Sequence, residues 1–526
     1  MSEIRVLDCT LRDGGYCNEW RFGYDNTKRI LEGLVTAGCD IIECGFLTHK
    51  YSYDRETTRF TELEQIAEVI PSDRAGKLFV CMMNYGEYDA ADMPEYDGTS
   101  VDGIRVAFHK KNLTDALELC RAIKAKGYKV FIQAMVSLSY TDKEFIDLIN
   151  ACNEFMPYAF YIVDSFGVMK RKDMIRLFYM VEHNLADGIW VGFHSHNNMQ
   201  LAYANAQELV DIKTKRNLII DSSIFGMGRG AGNLNTELFV EYLNDNIGSE
   251  YRLHPLLEII DEILNAFYQR NSWGYSLPNY ISAAHNAHPN YAMYLDNKKT
   301  LTMENMNDIF SMMGEEKKVS YDPAYIEGLY TQYLATGHVN EERLNELKEK
   351  LSGKKVLVIA PGKSASDEKE KVIKCASRED VIVFSVNFDY REYPSDFIFL
   401  SNLRRYREMD KGKLGKCIVT SNIPTDGTYL QTRYKTLMND TEAVKDNAGL
   451  MLIRYLIMLG VETVYIAGLD GYSTDISENF VEAKMAFRSE RDVMERMNVG
   501  LSKELRRMRN EIQLEYITPP KHVTID

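Results

Sequence analysis

The chain has 526 residues, which predicts two or three domains at roughly 100–200 residues per domain, with enough length for a large core. Its formal net charge of −15 argues against a nucleic-acid or membrane partner, because nucleic acids and anionic lipids carry phosphates that repel an acidic protein. The nine cysteines follow no repeating spacing, and we find neither a signal peptide nor an apolar stretch long enough for a membrane span. We therefore expect a cytoplasmic protein with reduced thiols.

In the first half of the chain, short runs rich in Val, Ile and Phe alternate with stretches of helical period, a pattern typical of βα units around a parallel sheet. One such helix is predicted over Thr27 to Ala37, where Gly38 marks its end. Eight strand candidates are Ile4 to Asp8, Asp40 to Phe46, Lys77 to Met83, Gly103 to Phe108, Lys129 to Val136, Ala159 to Asp164, Trp190 to His196 and Leu218 to Ile224. Eight strands with a helix after each predict a (β/α)₈ TIM barrel over residues 1–250, with an open doubly wound sheet as the alternative.

The second half is predicted to hold a helical extension and a second α/β domain. Residues 251–350 form the extension, which we expect to cover the barrel mouth. A smaller, open, Rossmann-like domain follows over residues 351–526 and ends in a charged helix from Arg488 to Glu515. Its strand candidates are Lys355 to Ala360, Val381 to Val386, Phe397 to Leu400, Lys416 to Thr420 and Thr463 to Ala467, with a helix from Asp446 to Leu459.

Polar residues follow the first, seventh and eighth strand candidates, at the barrel end where active sites of TIM barrels form. Arg12 and Asp13 follow the first strand. His194 and His196 are two residues apart on the seventh, so their side chains point to the same side. With Asp13 they form a candidate divalent-metal site that leaves positions open for a substrate, and local hydrogen bonding of both histidines is the alternative. The glycine-rich loop 226–233 lets backbone approach a ligand, unless it is only a flexible turn.

These motifs together resemble one enzyme group, the DRE-TIM metallolyase superfamily. They are the run Thr10-Leu11-Arg12-Asp13-Gly14, Glu43 after the second strand, His194-Ser195-His196, and the loop Gly226-x-Gly228-x-x-x-Gly232-Asn233. The superfamily contains 4-hydroxy-2-oxoacid aldolases, hydroxymethylglutaryl-CoA lyases, and isopropylmalate and homocitrate synthases. The similarity covers residues 1 to about 295 and is greatest to 4-hydroxy-2-oxovalerate aldolase-like (HMGL-like) proteins. The Rossmann-like domain lies outside it.

The resemblance implies a metal site with four ligands, namely Asp13, His194, His196 and Asn233. The expected ion is Mn²⁺ or Mg²⁺. Arg12 would lie beside the substrate oxygen that becomes an enolate. The chemistry agrees with this arrangement, because a metal and a guanidinium together stabilise negative charge on the keto oxygen of a 2-oxoacid.

The resemblance also implies residues on the substrate side of the site. Glu43 would be a catalytic carboxylate, with a non-catalytic salt bridge to Arg12 as the alternative. Asp164 and Ser165, at the end of the sixth strand, would seat the substrate carboxylate. Tyr275 and Tyr280 belong to a segment similar to the substrate-covering part of aldolase-like proteins, so they are further candidates for substrate binding.

The residue that moves a proton is left open by the sequence. Pyruvate-forming aldolases of this group carry a histidine three residues after the metal-binding aspartate, and this chain has Tyr16 there. Tyrosine, with an ordinary pKa near 10, is a poor base at neutral pH unless its surroundings lower that pKa. His285 and His288 are three residues apart after the barrel and are the other candidates, with a structural role for each as the alternative. We hypothesise that one of these three residues moves the proton.

The predicted function is that of a carbon–carbon lyase, a divalent-metal-dependent aldolase that joins a pyruvate-type 2-oxoacid enolate to an aldehyde or reverses that reaction. A sugar-derived aldehyde, in surface-glycan or sugar-acid metabolism, is one candidate. The first alternative is a Claisen-type 2-oxoacid synthase or acyl-CoA lyase of the same superfamily. The second is a barrel that binds ligands without catalysis while the C-terminal domain binds a nucleotide. We expect a homo-oligomer in each case.

The C-terminal domain opens with a strand followed by Gly362-Lys363-Ser364. This is not a P-loop, because Leu357 stands where the motif needs its first glycine. A small-residue turn before a helix still offers free amides to a phosphate. Gly362, Ser364, Asn387 and Asp470 are therefore candidate residues for binding a nucleotide or nucleotide sugar, with helix capping by Ser364 as the alternative.

Overall fold

The computed structural model describes residues 2–298, 301, 303–335, 340–390, 392–423, 427–475, 478–480 and 491–524. The chain forms two compact α/β units. The first comprises Met1–Met293 and Gly314–Tyr321, and the second comprises Tyr294–Met313 and Asp322–Asp526. Among the described residues, no helix combines the length and the apolar character that crossing a membrane requires.

Eight parallel strands form a closed barrel in the first unit. They are β1 (Ile4–Asp8), β2 (Ile41–Leu47), β3 (Leu78–Asn84), β4 (Gly103–Phe108), β5 (Lys129–Ala134), β6 (Ala159–Asp164), β7 (Trp190–Ser195) and β8 (Leu218–Ser222). The strands pair in chain order, and β1 pairs with both β2 and β8. This double pairing closes the barrel and excludes the open sheet. A two-residue strand, Arg59–Phe60, pairs with the end of β2.

Helices surround the barrel because each presents an apolar stripe to the strands. They are Tyr24–Ala37, Leu63–Ala67, Leu113–Ala125, Asp142–Phe155, Arg171–Asn184, Ala202–Asp211 and Thr236–Ile247. The first ends as predicted at Gly38, whose φ of +93° suits glycine. The prediction of a helix after every strand is wrong at β3, which is followed only by the 3₁₀ turn Ala90–Asp92. Pro94 and Gly98, which disfavour a helix, interrupt that connection.

The barrel interior is layered from apolar to charged. Leu7, Phe131, Tyr161 and Ile219 belong to one apolar cluster inside the barrel. Further toward the carboxyl ends of the strands, the charged residues Glu43, Arg105 and Asp221 are also buried. Charged side chains are rarely buried unless they are paired, so this charged layer marks the approach to a functional site.

Short helices follow the barrel and lead to the second sheet. They are His254–Ile259 and Asn265–Arg270, joined by the π-helical turn Ile260–Leu264, and then Leu277–Ala284, Pro289–Asn297, Met303–Ser311, Glu315–Lys318, Pro323–Ala335 and Glu341–Leu351. The residues predicted to form a helical extension are thus divided between the two units.

The second unit contains seven parallel strands in the order β13-β12-β11-β10-β9-β14-β15. They are β9 (Lys355–Ile359), β10 (Val381–Val386), β11 (Phe397–Leu400), β12 (Cys417–Thr420), β13 (Leu430–Thr432), β14 (Thr463–Ala467) and β15 (Gln513–Tyr516). Its helices are Ser364–Asp367, Lys369–Ala376, Leu403–Glu408, Tyr434–Leu437, Ala448–Met458 and Arg491–Met508. The predicted final helix to Glu515 is wrong beyond Met508. The chain instead adds β15 at the sheet edge, where exposed polar residues weaken the sequence signal of a strand.

Candidate active site at the barrel mouth

Asp13, His194 and His196 converge at the carboxyl ends of the barrel strands. Asp13 ends the short helical turn Thr10–Asp13 after β1, His194 lies on β7, and His196 directly follows it. All three side chains are buried, and one ligand atom from each lies within 4.8 Å of the other two. The structure therefore brings together the three residues that the sequence predicted to hold a metal.

Unsatisfied polar atoms around these residues fit a bound cation. Nδ1 of His196 is buried without a hydrogen-bond partner among the described residues and lies 3.7 Å from Oδ2 of Asp13. Asn233 donates from Nδ2 to the same Oδ2 at 2.7 Å, while its own Oδ1 is buried and has no partner in the described part of the chain. A buried polar atom left without a partner costs about 1–3 kcal/mol, which coordination would offset. Imidazole nitrogens with carboxylate and amide oxygens suit a divalent metal ion.

The protonation states of two of these residues also suit a metal. Burial raises the pKa of Asp13, but Arg12 and the two histidines offset this and hold the pKa well below its ordinary value. Burial lowers the pKa of His196 to about 3, against a smaller opposing effect of Asp13. Asp13 is thus an anion and His196 a neutral imidazole near neutral pH, and these are the forms that bind metals.

A chain of buried ion pairs lies beneath the site. Nδ1 of His194 is 2.9 Å from Oδ2 of Asp221, which also forms an ion pair with Arg105. Arg105 Nη1 is 2.8 Å from Oε2 of Glu43, and Arg12 donates from Nε to that oxygen at 2.8 Å. Charges of alternating sign therefore connect the metal-site histidine to Arg12.

Glu43 forms a salt bridge to Arg12, as the non-catalytic alternative stated above expects. It is buried among arginines and is not among the residues that line the cavity. The sequence reasoning missed its second partner, Arg105, and the partner of His194, Asp221. Each is a charged residue inside an otherwise apolar strand, and that signal could have identified both.

An open cavity lies above the ion pairs. Arg12 is only 4% exposed, and its Nη2 has no hydrogen-bond partner among the described residues. That nitrogen remains able to donate to a ligand. The other lining residues are Asp13, Tyr16, Phe46, Met82, Asn84, Ala107, Gln133, Met135, Val163, Ser165, His194, His196 and Arg229.

Tyr16 and Arg229 form one wall of this cavity. The Arg229 guanidinium lies 5.5 Å from the centre of the Tyr16 ring. Arg229 also donates from Nη2 to the Ser165 carbonyl at 2.9 Å, whereas its Nε is buried without a partner among the described residues. Although Tyr16 is partly exposed at the mouth, the surrounding protein displaces water from the phenol and raises its pKa, an effect that Arg229 partly opposes. The environment therefore lowers, rather than raises, the fraction of Tyr16 that is present as phenolate at neutral pH.

Four other predicted residues do not line the cavity. His285 directly follows helix Leu277–Ala284. Tyr275 and Tyr280 are 55% and 43% exposed. His288 packs against Phe166, and burial, together with Arg229, lowers its pKa well below the ordinary value. Its Nδ1 accepts from the backbone N–H of Asn290 at 3.2 Å, so the neutral ring carries its proton on Nε2.

Asp164 and Ser165 have separate roles in the structure. Asp164 accepts hydrogen bonds from the backbone N–H groups of Val168 and Met169, both at 2.9 Å, and burial raises its pKa to about 6. This carboxylate shapes the loop after β6 and does not line the cavity. Ser165, the first residue of that loop, does line it.

Comparisons with known proteins find relatives that cover about half of this chain. The 4-hydroxy-2-oxovalerate aldolase of Carboxydothermus hydrogenoformans is 26% identical over 269 residues, or 50% of this chain and 77% of that protein. The oxaloacetate decarboxylase of Mycobacterium tuberculosis is 27% identical over 242 residues, covering 45% and 69% of the two chains. A crystal structure of the N-terminal domain of a Bacteroides vulgatus protein proposed to be an aldolase is 28% identical, with a TM-score of 0.49, covering 57% of this chain and 98% of that one.

The part of the chain that matches a family, residues 3–263, is the part that holds the site. It contains β1 to β8 and every residue of the metal cluster. Residues 3–263, just under half of the chain, match the HMGL-like family.

Proposed function

We propose that the barrel is a divalent-metal-dependent carbon–carbon lyase that cleaves or forms the bond next to a 2-oxoacid, of the 4-hydroxy-2-oxoacid aldolase type. The observation that carries the proposal is the buried cluster of Asp13, His194 and His196 beside the unpaired Nη2 of Arg12. Asn233 would complete the ligand set. A divalent ion held there, Mn²⁺ or Mg²⁺, would supply a Lewis acid for the carboxylate and keto oxygens of the substrate.

Arg12 supplies the charge that the reaction needs. In the cleavage direction the 4-hydroxyl group loses its proton and becomes a carbonyl as the C3–C4 bond breaks. The electron pair of that bond moves toward the keto oxygen and gives a pyruvate-type enolate, which is protonated at C3 after the aldehyde forms. The Nη2 of Arg12 donates to the developing negative charge, while Glu43 and Asp13 hold the guanidinium in place before the reaction begins.

Tyr16 is the residue best placed to exchange the hydroxyl proton. Among the residues lining the cavity, Asp13 and the two histidines belong to the metal cluster, and the two arginines remain protonated. Tyr16 is the remaining titratable side chain in that lining. Its raised pKa keeps Tyr16 as the neutral phenol at neutral pH. The phenol can donate its proton when the aldol is formed. In the cleavage direction only the small phenolate fraction can accept a proton, so this transfer is slow.

The raised pKa of Tyr16 also favours a second reaction, one that needs no base to remove a hydroxyl proton. Decarboxylation of a 2-oxodiacid such as oxaloacetate also yields a pyruvate enolate, but no hydroxyl proton has to be removed first. Arg229 offers an unpaired Nε at the cavity wall that suits the second carboxylate. The oxaloacetate decarboxylase among the relatives catalyses a reaction of this chemical class according to its name.

An assay of product formation tests the proposal. The protein, loaded with Mn²⁺, is incubated separately with 4-hydroxy-2-oxopentanoate, oxaloacetate and hydroxymethylglutaryl-CoA. We expect pyruvate from 4-hydroxy-2-oxopentanoate, no pyruvate after chelation, and none from the His196→Ala variant. Pyruvate from oxaloacetate alone would identify the decarboxylase. Acetoacetate from the CoA thioester alone would contradict both proposals.

A further inference from the structure

The second unit contains a cavity of about 360 Å³ at the carboxyl ends of its strands. Gly362 follows β9, Asn387 follows β10 and Asp470 follows β14, and all three line the cavity. They are three of the four residues that the sequence singled out as candidates for nucleotide binding. None of them belongs to the barrel site.

The strand order explains why a cavity forms here. From β9 the sheet continues through β10 to β13 on one side and through β14 and β15 on the other. The chain therefore passes from β9 to β10 on one side and from β14 to β15 on the other. These opposite directions open a crevice between the ends of β9 and β14. In open parallel α/β sheets, ligands bind in this crevice, outside the carboxyl ends of the strands.

Two of the predicted residues, Gly362 and Ser364, hold the ends of β9 and β14 close together. Ser364 donates from its backbone N–H at 2.8 Å and from its hydroxyl to Asp470, and its hydroxyl also contacts Thr518. A Cβ atom at Gly362 would lie 2.2 Å from the carbonyl oxygen of Gly468. Ser364 therefore does not line the cavity, and the glycine is required because the ends of β9 and β14 pack closely.

Cationic and N–H donor groups line one side of the cavity. Arg404 and Arg405 lie on helix Leu403–Glu408, where they pair with Glu408 at 3.1 and 2.9 Å, and the Arg405 side chain is only 14% exposed. Ala448 and Gly449 begin the eleven-residue helix Ala448–Met458 and line the cavity, while the N–H of Leu450 in the same turn donates to Oδ1 of Asn447. The first N–H groups of a helix have no partner within the helix, so those of Ala448 and Gly449 can donate to a ligand. Arginine and a helix N-terminus both favour a phosphate group.

The remaining walls carry two further kinds of group. Asp446 offers carboxylate oxygens to hydroxyl groups, whereas Asn387 and Asn402, whose Oδ1 atoms accept backbone N–H groups, offer their side-chain N–H groups. Asn387 also has a φ of +55°, a conformation uncommon outside glycine that is concentrated at ligand sites. The larger apolar and aromatic residues of the lining, called the apolar wall below, are Val386, Leu469, Tyr472, Phe480, Met497 and Leu501.

We propose that this cavity binds a nucleoside phosphate. The phosphate lies against Arg404, Arg405 and the first turn of helix Ala448–Met458. The sugar hydroxyls meet Asp446 and the neighbouring asparagines, and the base packs on the apolar wall. The phosphate, the sugar and the base thus each meet lining residues of matching chemistry.

Titration calorimetry on the full-length protein tests the assignment. The probes are ADP, GDP, UDP and CDP, each with Mg²⁺, and inorganic phosphate and uridine are titrated separately. We expect saturable binding of at least one nucleoside diphosphate. In Arg405→Ala the affinity falls about tenfold or more, because a charge-assisted hydrogen bond is lost.

Arg378→Ala is the matched control. Arg378 precedes β10 at the opposite end of the strands and pairs with Asp380 at 2.8 Å, so its removal leaves nucleotide affinity unchanged. Circular dichroism on both variants confirms that they are folded. Absence of binding by every diphosphate would overturn the proposal. Equal affinities of wild type and Arg405→Ala would overturn the location, and phosphate binding as tightly as the best nucleotide would overturn the ligand class.

Discussion

Nδ1 of His194 lies 2.9 Å from Oδ2 of Asp221, deep in the barrel interior. The contact occupies one nitrogen of the ring and leaves Nε2 as the atom able to bind a metal. Asp221 is itself held by Arg105, which also pairs with Glu43. Burial alone would raise the pKa of Asp221, but Arg105 and His194 lower it, so the carboxylate stays ionised. The orientation of His194 thus depends on residues that do not line the cavity.

Replacing Asp221 by asparagine tests this dependence. We expect the Mn²⁺ affinity to fall about 10–100-fold, the usual effect of removing the hydrogen-bond partner of a ligating histidine. The affinity can be measured from the electron paramagnetic resonance signal of free Mn²⁺. Asp187→Asn, at an exposed position of the same unit, is the control and keeps the wild-type affinity. Unchanged affinity in Asp221→Asn would contradict the orienting role.

Tyr16→Phe tests which group exchanges the proton. Because the pKa of Tyr16 lies above its ordinary value of 10, only the small phenolate fraction accepts a proton below that pH. We expect kcat/KM for aldol cleavage to rise about tenfold per pH unit from pH 7 to 9 in the wild type. In Tyr16→Phe the rise disappears while Mn²⁺ affinity is kept. If the variant keeps the wild-type profile, His285→Ala and His288→Ala are the variants to measure next.

Arg229→Gln tests substrate recognition at the cavity wall. The glutamine cannot replace the charge that the unpaired Nε of Arg229 presents. Loss of one charge-assisted hydrogen bond, about 1.5–3 kcal/mol, predicts a decrease in kcat/KM of roughly 10–100-fold. The decrease should be larger for oxaloacetate than for 4-hydroxy-2-oxopentanoate if Arg229 binds a second carboxylate. Arg171→Gln, at an exposed position, is the control, and an equal loss in both variants would refute the role of Arg229.

Asp164→Asn tests the loop after β6 through the pH dependence of stability. Burial raises the pKa of Asp164 to about 6, so the folded protein holds that proton longer than the unfolded chain. A raised carboxyl pKa gives stability at low pH that is lost as pH rises through about 6. We expect the free energy of unfolding of wild type, relative to Asp164→Asn, to decrease by about 1–2 kcal/mol from pH 5 to pH 8.

Urea unfolding followed by tryptophan fluorescence measures this difference in the barrel alone, because all three tryptophans of the chain lie in that unit. Effects of the substitution that do not depend on pH cancel when the two pH values are compared. A constant difference between the two proteins, or one that grows with pH, would refute the assigned direction of the pKa shift.

The barrel and the cluster of Asp13, His194 and His196 were predictable because their signals are local in the chain. Each barrel strand is a short apolar run, and His194 and His196 are two residues apart on one of them. Asp13 follows another strand end, and closure of the barrel brings the two ends together. The edge strand β15 was missed because its polar residues are exposed and resemble those of a charged helix.

The sequence could not predict which residues pair with each other in the barrel interior. Arg105 on β4 meets Glu43 on β2 and Asp221 on β8, and nothing in the spacing of these residues specifies that contact. The pairing follows from the radius of the closed barrel, which places inward-facing residues of distant strands in one layer. The raised pKa of Tyr16 could not be predicted from the sequence either, because it depends on how much water the completed cavity excludes.

Exchange of the pyruvate methyl protons with deuterium, followed by NMR in heavy water, tests the central claim without requiring the aldehyde. We expect Mn²⁺-dependent or Mg²⁺-dependent exchange in the wild type, with the diamagnetic Mg²⁺ enzyme giving the sharper spectra. The exchange should disappear with a chelator and in Asp13→Ala. This result would show that the metal cluster promotes enolate formation. Absence of exchange in wild-type protein that demonstrably holds the metal would contradict the account.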